Sequence, residues 1–206
     1  MVQDTKLTFS EEEMDAMQNS RFFFVKNDVT QKVTQLFGDL ENELMKSVSD
    51  FPFLSSAEWQ IKAKGKIFRG ENYRLMPYLI LDCPRVFNTE TVFAFRSMFR
   101  WGHEFTFTLH LQGLALELSR KKIGQYISDL NRLQYYVCVN DTPWEYTFDK
   151  DNYVLLDEMT EHRSDELKKI ISTGNFLKLS RKLGLKDFSH AVSYGVETFE
   201  KLMKLL

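Results

Sequence analysis

The sequence predicts an α+β fold: an antiparallel or mixed central sheet of about five strands, with N-terminal and C-terminal helices packed on it. Three observations point there. Apolar residues recur at helical spacing near both ends, strand-like alternation is concentrated in the middle, and regular strand–helix alternation is missing. With 43% hydrophobic and 27% charged residues the composition is that of an ordinary folded chain, and 18 Phe, 8 Tyr and 3 Trp predict an aromatic-rich core. No internal repeat or Pro/Gly/Ser-rich linker divides residues 1–206, so one domain is expected.

Taken in order, Ser10 and Glu13 form a capping-box pattern that opens a short acidic helix. After the apolar run Phe22 to Val25, Asp28 is placed to cap a longer helix through Val29, Val33, Leu36, Phe37, Leu40, Leu44 and Val48. Trp59 to Ile67 alternates apolar residues with Gln60, Lys62, Lys64 and Lys66, which predicts a half-exposed strand with a basic outer face. RGENYRLMP then reads as a loop, and Tyr78 to Cys83 as a second strand pairing antiparallel with the first. Asn88 predicts a helix cap, with a helix running to about Arg100 and Gly102 as terminator; a strand over Thr91 to Phe95 is the rival. Phe105, Phe107, Leu109 and Leu111 form the next strand, ended by Gly113.

Leu114 to Leu130 has helical spacing, and Gln134 to Val139 with Glu145 to Phe148 frame a hairpin around NDTPW. The remaining apolar positions predict closing helices, at Leu167 to Ile171, at Phe176 to Leu183 before Gly184, and from Val192 to Leu206.

The chain has only two cysteines, Cys83 and Cys138, and its first residues lack the pattern of a secretory signal. No apolar run reaches the length of a membrane span. A cytoplasmic location with no membrane contact is expected.

Net charge is −2, but unevenly spread. Residues 1–58 hold 5 basic and 11 acidic side chains, whereas residues 59–122 hold 11 basic and 5 acidic ones. A pI near 6.1 argues against nucleic acid as the partner. The basic middle is either a solvated counterpart of the acidic start or an anion site.

Within FAFRSMFRWGHE a helix would stack Arg96 over Arg100 and place His103 just beyond its end, with Arg85 close by. Arg85, Arg96, Arg100, Trp101 and His103 are therefore the candidate ligand-binding set; packing of the arginines on Trp101 is the plainer alternative. Arg69, Glu71, Asn72 and Tyr73 are a second, loop-borne candidate, although turn chemistry also explains Gly70 and Asn72. His103 and His110 are the candidate acid/base groups. Cysteine and histidine spacing fits no metal site, and His103-Glu104 is not followed by a histidine at residue 107. Without a Walker loop, a dinucleotide fingerprint or a GxSxG elbow, no cofactor is predicted.

At SEEEM, FFFVKNDVTQKV, RGENYRLMPYLILDCPR and VFAFRSMFRWG the chain resembles a family of uncharacterised bacterial proteins, over residues 9–113 at least. That resemblance implies a bacterial cytoplasmic origin and transfers no activity or site residue. The functional expectation is a non-enzymatic binding or interaction module with an Arg-rich anion-binding surface for a small anionic molecule or an acidic protein surface. The alternative is a small enzyme with a histidine acid/base and arginines holding an anionic substrate. A homodimer through surplus aromatics is a third expectation.

Overall fold

A computed structural model describes residues 7–51, 54 and 65–206. The fold is α+β, with six α-helices and one antiparallel sheet of seven strands among the described residues, two more strands than the sequence predicts. The capping box forms as read: Ser10 Oγ accepts from the Glu13 N–H, Glu13 Oε2 accepts from the Ser10 N–H at 2.7 Å, and α1 runs Glu11–Gln18. Asn19 Oδ1 then accepts from the Phe22 N–H at 3.1 Å and starts α2, Ser20–Val48. Asp28 is thus inside α2 rather than its cap. From Val33 onward the buried positions Val33, Phe37, Leu40, Leu44 and Val48 keep to one side of the helix, as the 3.6-residue period requires.

Of the strand predicted over Trp59 to Ile67, residues 59–64 lie outside the described residues. β1 is Lys66–Tyr73 and β2 is Met76–Phe87. The predicted RGENY loop is therefore strand: Arg69 pairs with Leu79 and Gly70 with Tyr78, and the turn is only Arg74-Leu75, with φ of 49° and 65°. This is the left-handed geometry that two-residue hairpin turns demand.

The predicted helix from Asn88 is also strand, and the rival reading of Thr91 to Phe95 was nearer: β3 is Thr91–Arg100, β4 is Glu104–Gly113. β3 lies between β2 and β4 with both faces covered, so its run of apolar residues lacks the alternation that marks half-exposed strands. Asn88 instead closes the β2–β3 turn, its Oδ1 accepting from the N–H groups of Glu90 and Thr91.

Helix α3, Leu114–Tyr126, continues as a 3-10 turn to Leu130, close to the predicted span. The predicted hairpin is replaced by a different one. β5, Tyr136–Cys138, pairs with β6, Tyr153–Leu155, and Glu145–Phe148 is not strand. Helices α4, Leu156–His162, and α5, Ser164–Thr173, follow. Phe176–Gly184 is strand β7, not helix, and it is inserted between β4 and β5 to give the order β1-β2-β3-β4-β7-β5-β6. A 3-10 segment, Leu185–His190, leads to α6, Ala191–Met203.

The two sides of the sheet differ in chemistry. Leu79, Leu81, Phe93, Phe95, Phe99, Phe105, Phe107, Leu109, Leu111, Leu177 and Leu179 join the apolar core with α2, α3 and α6. The other side carries Asp82, Arg96, Thr108, His110, Lys178 and Ser180, and the segment between β5 and β6 crosses over it. Among the described residues, no helix is long and apolar enough to cross a membrane.

Candidate functional site

Two features concentrate chemistry or exposed surface, and the first is the polar side of the sheet. Register places Asp82, Arg96, Thr108 and Ser180 in one row across β2, β3, β4 and β7. Asp82 is 1% exposed, and its two oxygens accept from Arg96 Nε at 2.7 Å and Nη2 at 2.8 Å. This bidentate fork uses the planar guanidinium to neutralise a carboxylate that could not otherwise stay buried. Arg96 Nη1 also donates to the Tyr146 hydroxyl.

The neighbouring row holds Arg85, Ala94, His110 and Lys178. Lys178 is 1% exposed and its Nζ donates to Pro143 O at 2.8 Å and Glu145 O at 3.0 Å, so the ammonium fastens the covering segment to β7. It also lies over the rings of Tyr146 and Tyr153. Burial pushes the Lys178 ammonium down to about 8. Burial, with the charges of Lys178 and Arg96 second, pushes His110 down to about 3. Its ring is walled by Trp144 and Phe176, and Nε2 has no hydrogen-bond partner. Cys138 donates to Asn152 Oδ1 at 3.5 Å, and burial raises its thiol; Cys83 is pushed up to about 12. Both thiols are held protonated, away from their reactive form.

The sequence-predicted ligand set is not brought together. Arg96 and Arg100 occupy one strand face four residues apart, about 13 Å along β3, rather than stacking on a helix. Arg96 is engaged by Asp82 and Arg100 by Glu104. Arg85 shares the His110 row, its Nε buried without a partner. Trp101 sits in the β3–β4 turn, edge-on to Phe22 and Phe99, and His103 is exposed in the same turn. His103 and His110 are therefore separated by most of β4. Of the other candidate set, Tyr73 donates to Glu145 Oε2 at 2.9 Å and Arg69 and Glu71 line a small hollow beside α2; Glu71 pairs with Lys26, and Asn72 is exposed on β1. Among the described residues no cluster of His, Cys, Asp and Glu could hold a metal ion.

The second feature is the N-terminal arm. Every residue from Leu7 to Val25 is exposed, and no residue of α1 is buried. Phe22, Phe23 and Phe24 are 49%, 59% and 71% exposed, and Leu7, Phe9, Met14 and Met17 are exposed with them. Four consecutive apolar residues span a whole helical turn, so a helix packed on one side cannot bury all of FFFV. That is the signal in the sequence that marks this surface. Phe22 meets Trp101, which adjoins an apolar hollow of about 500 Å3 between α2 and the β3–β4 turn, lined by Val33, Leu36, Phe99, Trp101, Phe105 and Phe188. Arm and hollow form a continuous apolar surface of the kind that marks binding sites.

Lys178, Tyr146 and Cys138 are members of the polar layer that sequence reasoning did not assign. Lys178 lay within a segment read as helix, although LKLSRKL alternates once it is read as strand. The chain matches no family model, no curated protein and no solved structure.

Proposed function

We propose that this protein is an interaction module that binds a protein partner through its aromatic N-terminal arm and the adjoining hollow. The supporting observation is the exposure of Phe22, Phe23 and Phe24 in a row on α2, continuous through Trp101 with an apolar hollow. Apolar surface of this extent costs free energy in water, at roughly 25 cal/mol per Å2, which a partner relieves by covering it. The polar layer fits a supporting role in this reading. Asp82 and Arg96 neutralise one another, and the Lys178 ammonium is turned onto two backbone carbonyls instead of onto solvent.

The test pairs a stability measurement with a surface probe. Phe23→Asp/Phe24→Asp should leave Tm within about 2 °C of wild type, because neither ring is buried. The same variant should bind the apolar dye anilinonaphthalene sulfonate several-fold less. A large fall in Tm would assign the rings to the fold and end this reading.

A further inference from the structure

Resting on that reading, we infer that the partner is a second copy of this chain, whose α3–α5 groove receives the acidic helix α1. The groove has a volume of about 650 Å3, with Gly124, Ile127, Leu167 and Ile171 among its lining residues. Arg120, Lys121 and Lys168 also line it, and no acidic residue does. Arg120 is tied to Glu117 and to the carbonyls of Ile171 and Gly174, and Lys168 pairs on the surface with Asp165. The groove is thus apolar within and edged by basic groups, of which Arg120 and Lys168 already face Glu117 and Asp165 and Lys121 is the one left to an incoming carboxylate among those named.

Helix α1 carries the matching pattern. At about 100° per residue, Met14 and Met17 share one stripe; Glu13 flanks it on one side and Glu11 and Asp15 on the other. No basic residue lies between Leu7 and Ser20. Docked into the groove, the methionines meet the apolar floor while the carboxylates approach Lys121, Lys168 and Arg120. Methionine suits this, because its flexible thioether adapts to an irregular surface.

The arm cannot serve its own groove. Phe22 packs at the β3–β4 turn, whereas α3 begins at Leu114, just past the far end of β4 and about 30 Å away. Lys122 on α3 donates to the carbonyl of Leu206, which holds α3 beside the C-terminal end of α6, away from Leu185 and Phe188 at the hollow. α1 itself is about 12 Å long. Arm and groove at opposite ends of one molecule make a contact between two different patches, which two copies close by exchanging arms.

Sedimentation velocity of the full chain at rising concentration tests this, with Met14→Lys/Met17→Lys as the arm variant and Lys121→Glu/Lys168→Glu as the groove variant. All four positions are exposed, so both variants should keep the wild-type Tm. Wild type should sediment above the 24.4 kDa monomer, and each variant alone should associate about tenfold more weakly or worse. Mixing the two variants should restore a 1:1 complex, since one copy supplies an intact arm and the other an intact groove. A wild type that stays monomeric at every concentration overturns the inference, and dye binding at the arm then still decides the broader reading. Association lost in the arm variant but kept in the groove variant overturns the groove as occupant and leaves the arm in place. Association kept in the arm variant overturns the role of α1, while the Phe23→Asp/Phe24→Asp dye measurement still decides the broader reading.

Discussion

Lys178 and His110 stand side by side on β4 and β7, and burial moves both titrations in the same direction, from 10.5 to about 8 and from 6.5 to about 3. Because each folded value lies below the unfolded one, the unfolded chain takes up the proton first as pH falls, and the fold loses stability on the acid side of each unfolded value. For Lys178 the loss develops between 10.5 and about 8, and for His110 between 6.5 and about 3. The buried thiols and tyrosines act oppositely at alkaline pH, so the measurable quantity is a difference between proteins. The stability of wild type minus that of Lys178→Met, from urea unfolding, should rise with pH across that alkaline window by up to about 1.4 kcal/mol per pH unit. Parallel curves would mean that water reaches the ammonium. Likewise wild type should lose stability faster than His110→Leu as pH falls below 6.5. Arg96→Leu should cost about 3–5 kcal/mol by leaving the Asp82 carboxylate buried and alone, and Arg96→Met/Asp82→Leu should recover most of it. A double variant as unstable as the single one would refute that account.

Between elements, two positions show how closely the backbones approach. A Cβ added at Gly195 on α6 would stand 2.8 Å from Phe107 Cε1 and 3.0 Å from Leu40 Cδ1, where α6, α2 and the sheet meet. Gly195→Ala should therefore destabilise by about 1–3 kcal/mol although alanine is the better helix former, and a gain in stability in urea would show that the helices can separate freely. In the β1–β2 turn Leu75 is exposed at φ 65°, a conformation that suits glycine, so Leu75→Gly should raise Tm by a few degrees. These elements also show what sequence pattern can reveal. α2 from Val29, α3 and α6 were legible because each buries one face and so repeats with a single period, α1 through its capping box, and β4 through its alternation of apolar residues with Thr106, Thr108, His110 and Gln112. β3 was not, because layers on both faces leave its apolar run without polar alternation, and β7 was not, because FLKLSRKL satisfies helical spacing as well as a strand period. The candidate site suffered from the same misreading: placing Arg96 and Arg100 on a helix stacked them, whereas on β3 each meets its own carboxylate.

Across the whole molecule, charge and apolar surface are segregated. The acidic arm meets the β3–β4 turn through Phe22, basic groups edge the α3–α5 groove, and the polar layer is sealed under the β5–β6 connection. Amide exchange should be slowest in β3 and β4, which are paired on both sides, and faster in β6, a three-residue edge strand; uniform protection would mean that the sheet opens as one unit. The position of β7 bears on synthesis. A chain emerging from the ribosome makes β1 to β4 first and can pair them at once, yet the free edge of β4 must wait for residues 176–184, after two strands and three helices have been made. β5 and β6 join the sheet only then, because β7 is what bridges them to it among the described residues. Until that late strand arrives, the nascent protein holds an open, aromatic-rich flank that any passing extended segment could occupy.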